Sequence, residues 1–298
     1  MSDRIVVVGD ALIDELRDDA GVREFVGGAA LNVAVGLARL GARTSLIAMV
    51  GDDEAGEAIR TSLADAGVQL IATPSPLGTS RAVSVRSAGG EPQYAFNEAA
   101  RGRRIRFGEA EQAAIADAAM VVVSCFPFDD VEQTAELAAA VAAASVDLVI
   151  DPNPRSGMLH DRAAFVDGFE QIAAGALLVK VGEDDAALLY DADLDALRAR
   201  LIERGAAVVL ATFGPAGAAI DVGGEVVVRP ISDLPGAVID TMGAGDAVLA
   251  ATVAQLDEGL PRDADAWGDV LERAMDVAAA TCRFEGALLR LPSELDPV

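Results

Sequence analysis

Asp240-Thr-Met-Gly-Ala-Gly-Asp-Ala-Val-Leu-Ala250 is the stretch on which the fold turns. A Gly-Ala-Gly turn, Gly243-Ala244-Gly245, runs straight into an apolar helix, and a carboxylate, Asp246, stands at the junction. The first N–H groups of a helix have no partner inside it and favour negative charge. Glycines let a ligand approach such a backbone closely. The turn therefore reads as an anion cradle, but no Lys-Ser/Thr follows it, so it is not a P-loop. Asp246 lies beside the cradle rather than within it. There a carboxylate can take the proton of a hydroxyl that attacks a bound phosphoryl group. A first-turn acid also complements the helix dipole, and this motif alone leaves both readings open.

A second glycine-to-helix junction lies near the other end, in Gly27-Gly-Ala-Ala-Leu-Asn32-Val-Ala-Val-Gly-Leu-Ala-Arg-Leu-Gly41. Asn32 falls in the first turns of that helix, and its amide offers a donor and acceptors suited to sugar hydroxyls. Asp10, after the apolar run Ile5–Val8, is placed to bind two vicinal hydroxyls, or simply to form a strand-end turn.

Between these points strands alternate with helices. Strands are predicted at Ile5–Val8, Thr44–Met49, Met120–Ser124, Leu148–Ile150, Leu177–Val181 and Ala207–Ala211, and helices at Leu31–Leu40, Ala55–Ala66, Val131–Ala144 and Leu194–Arg204. Continuous apolar strands separated by helices specify an α/β fold with a parallel sheet covered on both faces. Residues 11–26 and about 79–97 break the rhythm with alternating segments, the second a hairpin around Gly89-Gly90. Such insertions are expected to form a small β lid over the carboxyl edge, where open α/β sheets bind ligands. No linker or internal repeat divides the 298 residues, so one domain spanning 1–298 with a lid is expected.

Composition narrows the function. A net charge of −25 argues against nucleic acid as a partner. No apolar run is long enough to span a bilayer, and MSDRIVVVGD is expected to be a first strand rather than a signal peptide. Cys125 and Cys282 fit no metal spacing and are expected to be reduced thiols in a cytoplasmic protein. The basic run Arg101-Gly-Arg-Arg-Ile-Arg106 is expected to be a solvated loop, and His160, the sole histidine, to be exposed and inert.

"GGAALNVAVGLARLG" and "DTMGAGDAVLAA" together resemble the paired signatures of the ribokinase-like sugar kinases, the PfkB family. The likeness implies a Rossmann-like, ribokinase-like α/β sandwich with a β lid that transfers the γ-phosphoryl group of ATP to a sugar, with Mg2+. It implies Asp246 as base and the backbone of Gly243, Ala244 and Gly245 as anion hole. Asp10, Gly27, Gly28 and Asn32 would face the sugar. Thr212-Phe-Gly214-Pro-Ala-Gly217 resembles the family's turn beside the nucleotide, and "AAATCRFEGA" resembles the segment flanking the adenine, with Cys282 as a wall. The stretch "DPNPR" is similar to that of fructokinases and 2-keto-3-deoxygluconate kinases, making Arg155 a substrate or phosphate contact.

One segment departs from the family. Where Asn-x-x-Glu is usual, this chain has Lys180-Val-Gly182-Glu183-Asp-Asp185, with Lys180 on the nucleotide side and Glu183 or Asp185 left to hold a magnesium-bound water. Phe96 is expected either to cover the sugar or to belong to the hairpin's own core. Asn97 and Glu98 occupy places where ketodeoxygluconate kinases tend to have tyrosine and arginine, so a neutral hexose, fructose first, is expected, although Arg101, Arg103 and Arg104 stand close enough in sequence for a small shift to bring one into that place. Ketodeoxygluconate, ribose and nucleosides are the alternatives within the family, and a non-catalytic sugar or nucleotide sensor is the competing class. The likeness also implies a homodimer built on the lid edges.

Overall fold

The computed structural model describes residues 4–18, 21–85 and 93–295. Its strands are β1 (Arg4–Gly9), β2 (Leu12–Asp18), β3 (Gly21–Gly27), β4 (Arg43–Gly51), β5 (Gln69–Ser75), β6 (Arg81–Val85), β7 (Gln93–Phe96), β8 (Met120–Ser124), β9 (Asp147–Asp151), β10 (Leu178–Gly182), β11 (Val208–Thr212), β12 (Ala218–Val222) and β13 (Glu225–Arg229). Nine of them form one sheet in the order β13-β12-β11-β10-β9-β8-β1-β4-β5. From β5 to β11 every neighbouring pair is parallel, and β11-β12-β13 closes that end as an antiparallel meander. The sequence explains the centre: β1 and β8 are unbroken runs of valine and isoleucine or methionine, buried on both faces. One apolar layer packs on each side of them. This is the doubly covered, Rossmann-like architecture that the alternating strands and helices imply.

Acidic residues contribute to the helix starts. Asp53, Asp130, Asp161, Asp193 and Asp263 each accept a hydrogen bond from a backbone N–H of the first turn that follows. Part of the large negative charge is therefore spent on caps.

The second sheet has four strands in the order β3-β2-β6-β7. Strands β2 and β6 pair in parallel, while β2/β3 and β6/β7 are antiparallel. Leu12, Ile13, Leu16 and Ala82 are buried in it, whereas Arg81 pairs with Glu24 and Arg17 with Glu15 on its more exposed side. The Gly89-Gly90 turn expected from the sequence lies outside the described residues.

Two features of this frame position the site. The strand ends Gly9, Ser124 and Asp151 are in register across β1, β8 and β9, and Gly182 is in register with Thr212 across β10 and β11. The residues that follow these ends therefore emerge at one edge of the sheet. Helices Ala29–Arg39 and Ala244–Glu258 also cross at close range, because Gly36 has no side chain to hold them apart. A Cβ at Gly36 would lie 2.9 Å from the Cβ of Ala250. That crossing brings together two helix starts far apart in sequence.

Candidate active site

Asn32 and Asp246 meet where those helices cross. The Asn32 Nδ2 donates to Asp246 Oδ2 at 2.8 Å, and both residues are buried. The Asn32 Oδ1 is buried too and has no protein partner. Burial pushes the Asp246 carboxyl up to about 6; the Asn32 hydrogen bond and the charges of Lys180 and Arg155 oppose that rise, while Asp151 adds to it. A carboxylate of this kind is ionised at neutral pH and basic enough to accept a proton.

The helix begins on Gly243, which adopts φ 76° with its Cα against the backbone of Ala287. A Cβ there would overlap the Ala287 carbonyl oxygen, and L-residues rarely adopt that φ. The turn is tied down by Asp240, whose Oδ1 accepts from Met242 N–H at 3.1 Å and whose Oδ2 accepts from Gly286 N–H at 3.3 Å. The N–H of Ala244 is partly engaged, donating to the Thr241 carbonyl at 3.3 Å. Among the described residues the N–H groups of Gly245 and Asp246 have no protein acceptor, as helix geometry dictates.

Lys180 lies directly beside this cradle. Its Nζ stands 3.2 Å from where a Cβ of Gly245 would be, and it pairs with Asp151 at 3.2 and 3.4 Å. Burial works against the Lys180 charge, but Asp151, Asp185 and Asp246 outweigh it and hold the ammonium protonated. Asp185 continues the row. It is buried, its Oδ2 accepts from Gly182 N–H at 2.6 Å, and burial pushes its carboxyl up to about 6 against the pull of Lys180. Glu183 is exposed beside Gly214. Asp185 therefore offers a carboxylate at the end of a row of fixed charges, a donor suited to a hard cation that keeps most of its ligands as waters or phosphate oxygens.

The other end of the row is Asp10. Its Oδ1 accepts from Ala30 N–H at 3.0 Å, which fixes it to the start of the first helix. Burial raises its pKa, and the Ala30 hydrogen bond and the charges of Arg103 and Arg155 oppose the rise. Gly28 caps the helix below it. Asp10 lines a cavity with Met49, Ser80, Arg103 and Cys125. Asp14 lies over Gly27, where a Cβ would overlap its carboxylate, and burial with the neighbouring Asp10 charge pushes it up to about 7. Phe96 packs on Ala29, Ala100, Cys125 and Met158 and against Gly157, reaching past the hairpin's own core.

The expected residues are thus not all in one place. Asp10, Asn32, Asp246, Lys180 and Asp185 form a continuous row, with Gly27, Gly28, Gly243 and Gly245 shaping its backbone. Thr212 stands next to Gly182, and Gly217 supports the adjoining turn by accepting from Phe213 N–H at 2.8 Å. Cys282 is buried at the end of the last long helix, where its carbonyl accepts from Ile239 N–H and Asp240 N–H. No hydrogen bond or ion pair among the described residues joins Cys282, Gly214 or Gly217 to the row. His160 is exposed, its ring nitrogen against the Arg101 carbonyl.

Two sequence expectations need revision. Asn97 does not face a substrate: its side chain accepts from Arg81 N–H and Ala100 N–H and donates to the Thr79 carbonyl, capping helix Glu98–Arg101. Glu98 is exposed in the first turn of that helix, so the acid invoked for a neutral sugar is not set in the cavity. The basic run is not uniformly solvated, because Arg103 turns inward. Asp14 is a site residue that the sequence reading misses; Asp151 is read there only as a strand end, and Arg103 only as one of three arginines near the pocket.

This combination of fold and site places the chain among sugar phosphotransferases. The family model described as pfkB family carbohydrate kinase matches residues 2–294, and the chain belongs to that family. It is an enzyme that transfers a phosphoryl group to a sugar hydroxyl. It is 31% identical over 304 residues to fructokinase of Klebsiella pneumoniae, covering 99% of this chain and 98% of the relative. Over 264 residues it is 31% identical to fructokinase of Rhizobium leguminosarum bv. trifolii, covering 85% and 79%. The solved structure of fructokinase with bound ATP from Xylella fastidiosa has the same ribokinase-like fold, with a TM-score of 0.79 at 24% identity over 96% of this chain and 94% of that one.

Proposed function

We propose that the chain transfers the γ-phosphoryl group of ATP to a hydroxyl of a small sugar, with Asp246 as general base. The observation that carries this reading is the buried Asn32–Asp246 hydrogen bond, which ties the sugar end of the row to the anion cradle. Asp10 and the free Asn32 Oδ1 hold the sugar by its hydroxyls. Asp246 accepts the proton of the attacking hydroxyl as its oxygen bonds to phosphorus and the bond to the β-phosphate oxygen breaks. The N–H groups of Gly245 and Asp246, with Gly243 and Ala244 shaping the turn, meet the charge on the phosphoryl oxygens. Lys180, held by Asp151, adds a fixed positive charge behind them.

Thr212, Gly214, Gly217 and Cys282 border the nucleotide. Asp185, with Glu183 at its exposed side, would hold Mg2+ through its waters, and the ion supplies charge neutralisation on the phosphates when bound. The four-stranded sheet acts as a lid, with Phe96 covering the sugar, and its closure excludes water so that transfer goes to sugar. The same sheet's exposed edges form the homodimer contact, and the chain folds as one domain around the row.

A fructose-type hexose skeleton is the first substrate to test, because relatives 31% identical are fructokinases. The experiment is ADP release from ATP and Mg2+ over a panel of hexoses, pentoses and nucleosides. Release with at least one sugar supports the reading; ATP binding with no release for any alcohol would make the chain a sensor.

A further inference from the structure

The nine-stranded sheet ends on a strand whose outer edge is uncovered among the described residues. Strand β13, Glu225-Val-Val-Val-Arg229, pairs with β12 alone. Gly223 and Gly224, with φ of 60° and 84°, form the two-residue turn between them, so Val222 and Glu225 make the first hydrogen-bonded pair. Alternation then turns the N–H and C=O groups of Val226 and Val228 away from β12. Among the described residues no backbone group outside the sheet pairs with them, and the Val228 carbonyl accepts only from the guanidinium of the adjacent Arg229, at 3.0 Å.

Edge strands are ordinarily blunted by lysine, proline or a bulge. Strand β13 has none of these, and its register with β12 is unbroken. Val226 and Val228 are instead 48% and 58% exposed on one face, while Val227 is buried on the other against helix Ala264–Thr281. Glu225 and Arg229, at the two ends, have no ion-pair partner among the described residues.

The strand is complementary to itself. A second copy laid antiparallel about a two-fold axis at Val227 puts Glu225 opposite Arg229 of the other copy, and Val226 opposite Val228. In that register the outward N–H and C=O groups of Val226 and Val228 all find partners, and the exposed valines of both copies meet on one face. The Arg229 guanidinium leaves its own chain's carbonyl for a carboxylate. Moving the axis to Val226 sets Arg229 against Gly223, and moving it to Val228 sets Val226 against Pro230, so only the central register faces opposite charges.

We propose that β13 is a self-pairing edge, through which two copies of this chain join antiparallel and extend the main sheet across a two-fold axis. The contact is separate from the lid edges and does not depend on the reaction. The net charge of −25 repels another copy as a whole, and β13 is a place where opposite charges come to face each other.

Sedimentation equilibrium of the full chain between about 1 and 100 µM reads this contact without turnover. The wild type should self-associate in that range. Val228→Pro removes an outward N–H and no bond to β12, and should weaken one assembly step about ten-fold or more. Where the lid contact also forms, that step is dimer to tetramer; where it does not, monomer to dimer. Glu225→Arg, at an exposed position, turns attractive pairs into repulsive ones and should weaken the same step about ten-fold. Glu225→Arg combined with Arg229→Glu should restore it. The charge variants carry the test if Val228→Pro does not fold. A wild-type chain that stays monomeric at about 100 µM, assembly unchanged by both Val228→Pro and Glu225→Arg, or a double variant that associates no more tightly than Glu225→Arg would overturn the proposal.

Discussion

Asn32→Ala takes away the 2.8 Å hydrogen bond that holds the Asp246 carboxylate in its ionised form. Burial alone pushes that carboxyl upward, and with the bond in place it sits at about 6. A hydrogen bond to a charged group is worth about 1.5–3 kcal/mol, and each pKa unit corresponds to about 1.4 kcal/mol. Losing the bond should therefore raise Asp246 by about 1–2 units, to between about 7 and 8. At pH 7 about nine-tenths of the wild-type base is ionised; at a pKa of 7.5 the fraction drops to about a quarter. The assay is kcat from pH 5.5 to 9 at saturating ATP and sugar, so that any loss of sugar affinity through the Asn32 Oδ1 does not enter. The acidic limb should move from near pH 6 in the wild type to near pH 7–8 in the variant, with most of the rate recovered at pH 9. A uniform drop at every pH, with the limb still near 6, would mean that Asn32 does not tune Asp246 and would refute the reasoning.

Asp14 binds its proton more tightly in the folded chain, at about 7, than in the unfolded one at 3.8. Its contribution therefore favours folding at acid pH and is lost as pH rises through about 7. Asp14→Asn should raise Tm relative to wild type at pH 8 more than at pH 5, and equal shifts at both would contradict the burial of its charge. Lys180→Met leaves Asp151 buried with no cation beside it, which should cost about 3–5 kcal/mol in denaturant unfolding. Adding Asp151→Asn should recover part of that loss, and independent, additive losses would count against the pair. Gly243→Ala imposes a positive φ on an L-residue and a clash with the Ala287 carbonyl, and should destabilise by about 2 kcal/mol or more. An unchanged unfolding midpoint would show that the turn is not held as described.

The legible part of the fold is the part with a single physical cause. Met120–Ser124 and Val131–Ala144 are found with the bounds their apolar runs and spacing predict, because a strand buried on both faces must be apolar throughout. β5 goes unread because it pairs only with β4, carries Pro74 and is half-buried for most of its length. Helix Arg162–Ala173 goes unread although Phe165, Phe169, Ile172 and Ala173 lie on one buried face, because Gly168 interrupts that stripe. In the site, Asp10, Asn32 and Asp246 are legible because each stands at a strand or helix end with glycines beside it. The pairing of Asn32 with Asp246 spans 214 positions and needs the helix crossing to be seen. Arg103 is hidden by its neighbours, since four arginines in six residues read as solvated and only the packing shows which one turns inward. Asp14 leaves a fainter trace, an even spacing from Asp10 that an extended segment would turn to one face.

Turnover and ligand binding of Asp246→Asn test the central claim most directly. The amide keeps the size of the side chain and cannot take a proton, so kcat should fall by about 10²–10⁴-fold while Kd for ATP stays within about three-fold of wild type. A variant that binds ATP normally and retains near-wild-type kcat would contradict the account.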